Sequence, residues 1–171
     1  MKITGHGLQQ AIREKKALLE VLNTQLTESL RQFNGEEKGD PIAISEEISM
    51  IEENLVKLQC AQDIYNEHVT GECLDKQMTL GFAVKFVGGV GRMERFWKNA
   101  MVPKRERYAM RNADERSKDV EYAKPRFTTE QALAQHMQNS KKASAIRAFI
   151  AKANTTEVDI ELLKISPAHL G

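Results

Sequence analysis

The sequence is poor in cysteine and lacks long apolar runs. Only two cysteines, Cys60 and Cys73, occur in 171 residues, and they form no CxxC pair. They are either free or buried thiols, or one disulfide between the second helix and the turn after it. No stretch reaches the roughly 18 apolar residues of a spanning helix, and the N-terminus lacks the apolar core of a signal peptide. We therefore expect a cytoplasmic protein.

Motifs of common enzyme chemistries are also missing. The four histidines are scattered without an HExxH pattern, and no GxSxG elbow occurs. The stretch GFAVKFVGGVGRMERFW, residues 81–97, has neither the lysine nor the hydroxyl of a phosphate-binding loop. Its GVG also lacks the third glycine of a dinucleotide fingerprint. We predict no catalytic residue, no cofactor and no metal site, and hence a protein that is not an enzyme.

What the sequence does have is helical periodicity. With 29% charged and 41% hydrophobic residues and a net charge of +1, the composition is that of an ordinary soluble domain. Apolar residues recur at helical spacing from about Gly7 to Asn34, and an a/d seam runs from Ile44 to Val69. Two helices of this length joined by the polar loop NGEEKGDP predict an antiparallel hairpin over residues 1–74.

The remaining segments complete a mainly α, bundle-like single domain over residues 1–171. We predict a glycine-rich and then basic helix within 75–111, capped by Thr79, and an extended connection over 112–127. A capping box formed by Thr128 and Gln131 begins a helix over 128–154. The tail, 155–171, is a C-terminal arm expected to dock through Val158, Ile160, Leu162, Leu163 and Ile165.

The glycine-rich helix is apolar on two faces, which indicates that it is sandwiched between neighbours. One face carries Phe82, Phe86, Met93 and Trp97, and the other carries Leu80, Val84, Val87 and Gly91. We predict that its glycines allow close helix packing rather than phosphate binding; these are Gly81, Gly88, Gly89 and Gly91.

Charge is segregated along the chain. A basic patch consists of Arg92, Arg95, Lys98, Lys104, Arg105, Arg107 and Arg111, and an acidic patch of Glu36, Glu37, Asp40, Glu46 and Glu47. Such patches pair with each other or with a second copy, or remain solvated, or the basic one binds nucleic acid. Pairing with a second copy is the interpretation that we favour.

In order along the chain, several stretches resemble a known family. These are a basic-flanked first helix, NGEEKGDP, MTLGFA, RERYAMRNADERSKDVEYAKPRF and IRAFIAKANTTEVDIE. They are similar to small bacterial all-helical proteins often named septicolysin. Val87 and Gly88 stand where relatives tend to have an Arg-Asp pair, and Thr155 stands in place of a tryptophan. The resemblance implies an all-helical fold, and the family's name implies a membrane contact, for which Phe82 and Phe86 are the candidates.

Three functions are therefore considered. The first is a structural or scaffolding protein that forms a homo-oligomer or joins a larger bacterial or phage-derived particle. The second is a septicolysin-like membrane-active protein, although Lys85 and the short apolar segment argue against spanning. The third is a nucleic-acid-binding module that uses the basic patch from Arg92 to Arg111. We predict the first.

Overall fold

The computed structural model describes residues 1–32, 34, 36–101 and 126–170. Four long helices dominate these residues, which confirms the predicted mainly α fold. In chain order the elements are β1 (Lys2–Thr4), α1 (Gly5–Ser29), α2 (Pro41–His68), β2 (Thr70–Cys73), β3 (Lys76–Thr79), α3 (Leu80–Ala100), α4 (Thr129–Ala153) and β4 (Glu157–Asp159), followed by a 3-10 turn at Pro167–His169. The chain divides into two compact units, Met1–Ala83 with Phe149–Gly171, and Val84–Ala148.

In the first unit, α1 and α2 form the antiparallel hairpin that the two apolar patterns predict. Leu8, early in α1, shares an apolar cluster with Leu58, late in α2. Leu22, late in α1, packs in a second cluster with Ile48, early in α2. Early residues of one helix therefore meet late residues of the other, which is the antiparallel arrangement.

The ends of the two helices follow their capping residues. Thr4 Oγ1 accepts the Gly7 N–H at 3.1 Å, so α1 begins at Gly5 instead of the predicted Gly7. It ends at Ser29, earlier than predicted, and Leu30 beyond it is 68% exposed. Asp40 Oδ1 accepts the Ile42 N–H at 3.0 Å and starts α2.

Strands β2 and β3 form a short antiparallel hairpin where the sequence predicted only a turn. Cys73 pairs with Lys76, which leaves Leu74 and Asp75 as a two-residue loop. Both loop residues have left-handed backbone angles, with φ of 55° and 59°. Because this loop carries neither asparagine nor glycine, it lacks the usual sequence signal of a tight hairpin.

The C-terminal segment, predicted as an arm, completes the core of the first unit. β4 pairs antiparallel with β1, with Ile3 opposite Val158. Four of the five predicted docking residues are buried, namely Val158, Ile160, Leu163 and Ile165. Leu162 is 46% exposed, so the prediction was wrong for this residue. The turn from Asp159 to Lys164 is the reason, since it directs Leu162 away from the cluster that holds Leu163.

The second unit contains most of α3 and α4. The predicted caps of both helices are present: Thr79 Oγ1 accepts the Phe82 N–H at 3.1 Å. Thr128 and Gln131 form the reciprocal pair of a capping box, at 2.9 and 3.1 Å. The extended segment predicted around Val120 lies outside the described residues. Within the described part of the chain, no helix has the length and apolarity needed to cross a membrane.

Candidate interaction surface

Within the second unit, α3 exposes a row of apolar positions that we call the outer stripe: Phe86, Gly89, Met93 and Phe96. Their spacing of three, four and three residues is that of an a/d seam. Phe86 is 38% exposed, Met93 46% and Phe96 57%. Three large side chains on one face of a helix are thus partly open to solvent.

The adjacent face of α3 meets α4. Val90 is buried on this face. The Glu94 carbonyl oxygen lies 3.1 Å from His136 Nδ1, and the Glu94 carboxylate lies 3.5 Å from Arg147 Nη2. The Trp97 ring packs edge-to-face against Phe127 at 5.6 Å. Trp97 lies at helical spacing from Phe86 and Met93, and its ring is in contact with Phe127 while theirs are more exposed.

The glycines of α3 differ in their surroundings. A Cβ added at Gly81 would lie 3.5 Å from the Asn66 carbonyl oxygen, which is an ordinary contact distance to the backbone of α2. At Gly88 and Gly89 the added atom would meet only the Arg92 guanidinium, at 3.8 and 3.9 Å, among the described residues. At Gly91 it would meet only that of Arg147, at 3.8 Å. Close helix packing at the four glycines stays a prediction.

The predicted charge patches are partly described. Arg92, Arg95 and Lys98 are exposed on α3. The rest of the basic patch, Lys104, Arg105, Arg107 and Arg111, lies outside the described residues. All five acidic residues are exposed, and two of them have a local role. The Glu36 carboxylate lies 3.1 Å from Lys38 Nζ, and Asp40 caps α2. Glu46 and Glu47 form no ion pair within the described part of the chain, and neither do the three cations on α3.

A buried polar group that the sequence did not predict joins both ends of the first unit. The Tyr65 hydroxyl lies 2.9 Å from the Ala153 carbonyl oxygen and 2.7 Å from that of Thr156, and it donates its proton to this pair. Burial raises the pKa of the Tyr65 hydroxyl. Asn154, next to this pair, is 6% exposed, and its backbone oxygen accepts the His6 N–H at 3.2 Å.

Tyr65 belongs to the apolar seam of α2, and Asn154 marks the end of α4, so each has a local explanation in the sequence. Their proximity depends on contacts between residues 88 or more positions apart. Gly5 fits between them, since a Cβ there would lie 2.5 Å from Asn154 Oδ1 and 2.7 Å from Tyr65 Cε1. This group stabilises the junction of α1, α2 and α4, and its Tyr65 and Asn154 side chains are buried.

The two cysteines and the groups that could bind a metal ion were the remaining candidates for a site. Cys60 is exposed and Cys73 is buried, and both are free thiols, so the alternative of one disulfide is wrong. In the part of the chain that is described, no group of three or more histidine, cysteine or carboxylate side chains is placed to hold a metal ion.

Comparison with known proteins bears on the fold. No protein-family model matches the chain, and no curated protein does. A solved structure that is similar is the crystal structure of a functionally unknown conserved protein from Corynebacterium diphtheriae. The TM-score is 0.66 at 13% sequence identity, and the match covers 93% of this chain and 100% of that one. At this identity the likeness shows a shared fold alone.

Proposed function

We propose that this chain is a non-enzymatic structural protein of the cytoplasm that self-associates through helical packing and complementary charge. The observation that supports it most is the outer stripe of α3, where Met93 and Phe96 are about half exposed. Burying the remaining apolar surface of such a side chain contributes about 1 kcal/mol to the free energy of association. Several side chains of this kind, contributed by two copies, supply the affinity of a modest interface.

A second copy is the partner that the charges favour. The outer stripe is flanked by Lys85 and Arg92, on positions that follow one side of α3. The start of α2 shows the complementary combination, with the exposed acids Glu46 and Glu47 beside Met50, which is 61% exposed. Each copy therefore carries an apolar and basic face together with an apolar and acidic one.

In this proposal the two kinds of contact have different roles. Apolar burial supplies affinity, whereas opposite charges accelerate encounter and select the register of the two helices. Exposed charges are screened over about 8 Å at physiological salt, so the assembly should weaken as salt is added. Incorporation of this assembly into a larger bacterial or phage-derived particle is an extension of the same proposal, and so is kinship with septicolysin-like proteins.

A charge-swap experiment tests the pairing directly. In the variant E46K/E47K both faces become basic, and in R92E/R95E both become acidic. We expect each variant alone to have a lower mass in light scattering than the wild-type protein. We expect an equimolar mixture to regain the wild-type mass, because the lysines of one variant then face the glutamates of the other.

Two further variants separate apolar from ionic contributions. Phe96→Glu should abolish the oligomer even at low salt, since it places a charge in the outer stripe. Val21→Glu is the matched control, because Val21 is 52% exposed on α1 and lies outside both faces. If the charge variants do not restore each other, or if V21E disrupts the oligomer as much as F96E, the proposed contact is wrong.

Membrane contact is the second candidate, and Phe82 is the observation that favours it. This residue is 55% exposed and precedes Lys85 by one helical turn, a pairing suited to an interface with anionic lipid. Flotation with vesicles that contain phosphatidylserine tests it. Flotation of the wild-type protein that is lost in F82E would support membrane contact, whereas protein that stays at the bottom of the gradient would exclude it.

A further inference from the structure

The two units carry side-chain charges of opposite sign. In the described part of Val84–Ala148, eight lysines and arginines accompany two glutamates, which gives a formal charge of +6. The other unit, Met1–Ala83 with Phe149–Gly171, has ten lysines and arginines and seventeen carboxylates, which gives a formal charge of −7. The net charge of +1 for the whole chain therefore does not reflect the strongly basic character of one unit. A unit of this charge attracts polyanions.

Helix α3 concentrates part of the positive charge on one face. With 3.6 residues per turn, Lys85, Arg92 and Phe96 fall within about 40° of one another around the helix axis. Arg95 lies about 60° to the other side of Arg92. All four side chains are exposed, whereas the buried Val90 lies about 160° from Arg92. We call Lys85, Arg92, Arg95 and Phe96 the cationic face.

The cations of this face are not neutralised by neighbouring carboxylates. Within residues 1–32, 34, 36–101 and 126–170, none of the three forms an ion pair. The acidic residue of α3, Glu94, has a side chain that is 20% exposed and lies 3.5 Å from Arg147 Nη2 on α4. Since Glu94 is also about 160° from Arg92 around the helix, the cationic face presents charge of a single sign.

An aromatic ring lies among these cations. The Phe96 side chain is 57% exposed, and its ring is held edge-to-face against Trp97 at 5.3 Å. Along the helix axis Phe96 is about 6 Å from Arg92, and Lys85 is about 10 Å from Arg92 on the other side. Surfaces that bind single-stranded nucleic acid combine cations for the phosphates with exposed rings on which bases stack.

We infer that the cationic face binds single-stranded nucleic acid. Lys85, Arg92 and Arg95 contact phosphates, and Phe96 stacks on a base. This binding does not rest on the proposed self-association. Because Phe96 also belongs to the outer stripe, a bound strand and a second copy of the chain compete for α3.

Fluorescence anisotropy with a labelled oligothymidylate of about 15 nucleotides, at several salt concentrations, tests the phosphate contacts. For three contacts the logarithm of the binding constant should fall with the logarithm of the salt concentration with a slope of about −2. Arg92→Gln should weaken binding and make this slope shallower by about 0.7. Lys141→Gln removes the same charge from an exposed position of α4 and should leave the slope unchanged.

A second variant tests the aromatic contact. Phe96→Ala should weaken binding of the oligothymidylate about tenfold without changing the slope, because stacking on a ring releases no counterions. The same variant should bind a duplex of equal length as tightly as the wild-type protein does, since paired and stacked bases do not reach the ring. Circular dichroism checks that each variant is folded.

A third variant separates this inference from the proposed self-association. Met50→Glu changes an exposed residue of the acidic face on α2 and leaves α3 intact, so it should bind the oligothymidylate at least as tightly as the wild-type protein. Equal slopes for R92Q and the wild type, or equal affinities for F96A and the wild type, would overturn the inference. Binding to phosphatidylserine vesicles without binding to the oligothymidylate would also overturn it, and would assign the cationic face to a membrane.

Discussion

Substituting Gly5 by alanine should destabilise the first unit although alanine favours helix. The new Cβ would lie 2.5 Å from Asn154 Oδ1 and 2.7 Å from Tyr65 Cε1. Neither neighbour has room to yield, because both are buried and the Tyr65 hydroxyl is bonded to two carbonyl oxygens. Overpacking of this kind costs about 1–3 kcal/mol, and a weakened hydrogen bond adds about 1 kcal/mol.

Against this cost, alanine gains at most about 1 kcal/mol of helix propensity, and less at the first position of a helix. The net loss is about 2 kcal/mol, which lowers the melting temperature of a chain of this size by about 4–8 °C. Thermal and urea unfolding followed by circular dichroism measures it. Gly88→Ala is the matched control, because its Cβ would meet only Arg92 Nη1, at an ordinary contact distance of 3.8 Å.

For Gly88→Ala we expect the opposite sign, a gain of up to about 1 kcal/mol, since the position is helical and open. The single tryptophan, Trp97, reports on the second unit by fluorescence. If G5A unfolds at the same denaturant concentration as the wild type, Gly5 is not fitted between Tyr65 and Asn154 as described. A strongly destabilised G88A would show that another part of the chain approaches α3 at this glycine.

Other predictions concern the buried hydroxyl and the hairpin loop. Tyr65→Phe should cost about 1–2 kcal/mol in urea unfolding, because the buried Ala153 carbonyl oxygen and the partly buried Thr156 carbonyl oxygen lose their donor. The raised pKa of Tyr65 also predicts a pH dependence, because the folded state holds the phenolic proton more tightly than the unfolded chain does. The contribution of Tyr65 to the free energy of unfolding is complete below about pH 10 and is lost as the pH rises further. Y65F should therefore lose less stability than the wild type between neutral pH and this alkaline range, and parallel curves would contradict it. Replacing Leu74 by asparagine and Asp75 by glycine should stabilise the protein by about 0.5–1 kcal/mol, because asparagine and glycine tolerate the positive φ of the loop. A loss of stability would mean that the Leu74 side chain has a packing role.

The sequence predicted those features that depend on near neighbours. Apolar spacing predicts both helices of the α1–α2 hairpin, and the hydroxyls of Thr79 and Thr128 predict where α3 and α4 begin. Apolar spacing and capping depend on residues within one or two helical turns, so they can be recognised without knowledge of the rest of the chain. The β2–β3 hairpin was not predicted, because Leu74 and Asp75 adopt left-handed backbone angles that the residue types do not indicate.

The candidate site was predicted only in part, because its residues come from distant positions. Arg92 and Arg95 belong to a basic run that is visible in the sequence, whereas the pairing of Arg147 with Glu94 depends on the packing of α4 against α3. In the same way, Tyr65 and Asn154 meet through tertiary packing. Periodicity identifies which face of a helix is apolar, whereas the identity of what covers that face depends on the whole fold.

The mass of the wild-type protein in solution tests self-association most directly. Light scattering behind a sizing column, at low and at high salt, is the measurement. We predict a discrete multiple of the 19.4 kDa chain mass at low salt and a shift toward the single chain at high salt. A mass of 19.4 kDa at both salt concentrations, over the whole range of protein concentration, would contradict the proposal.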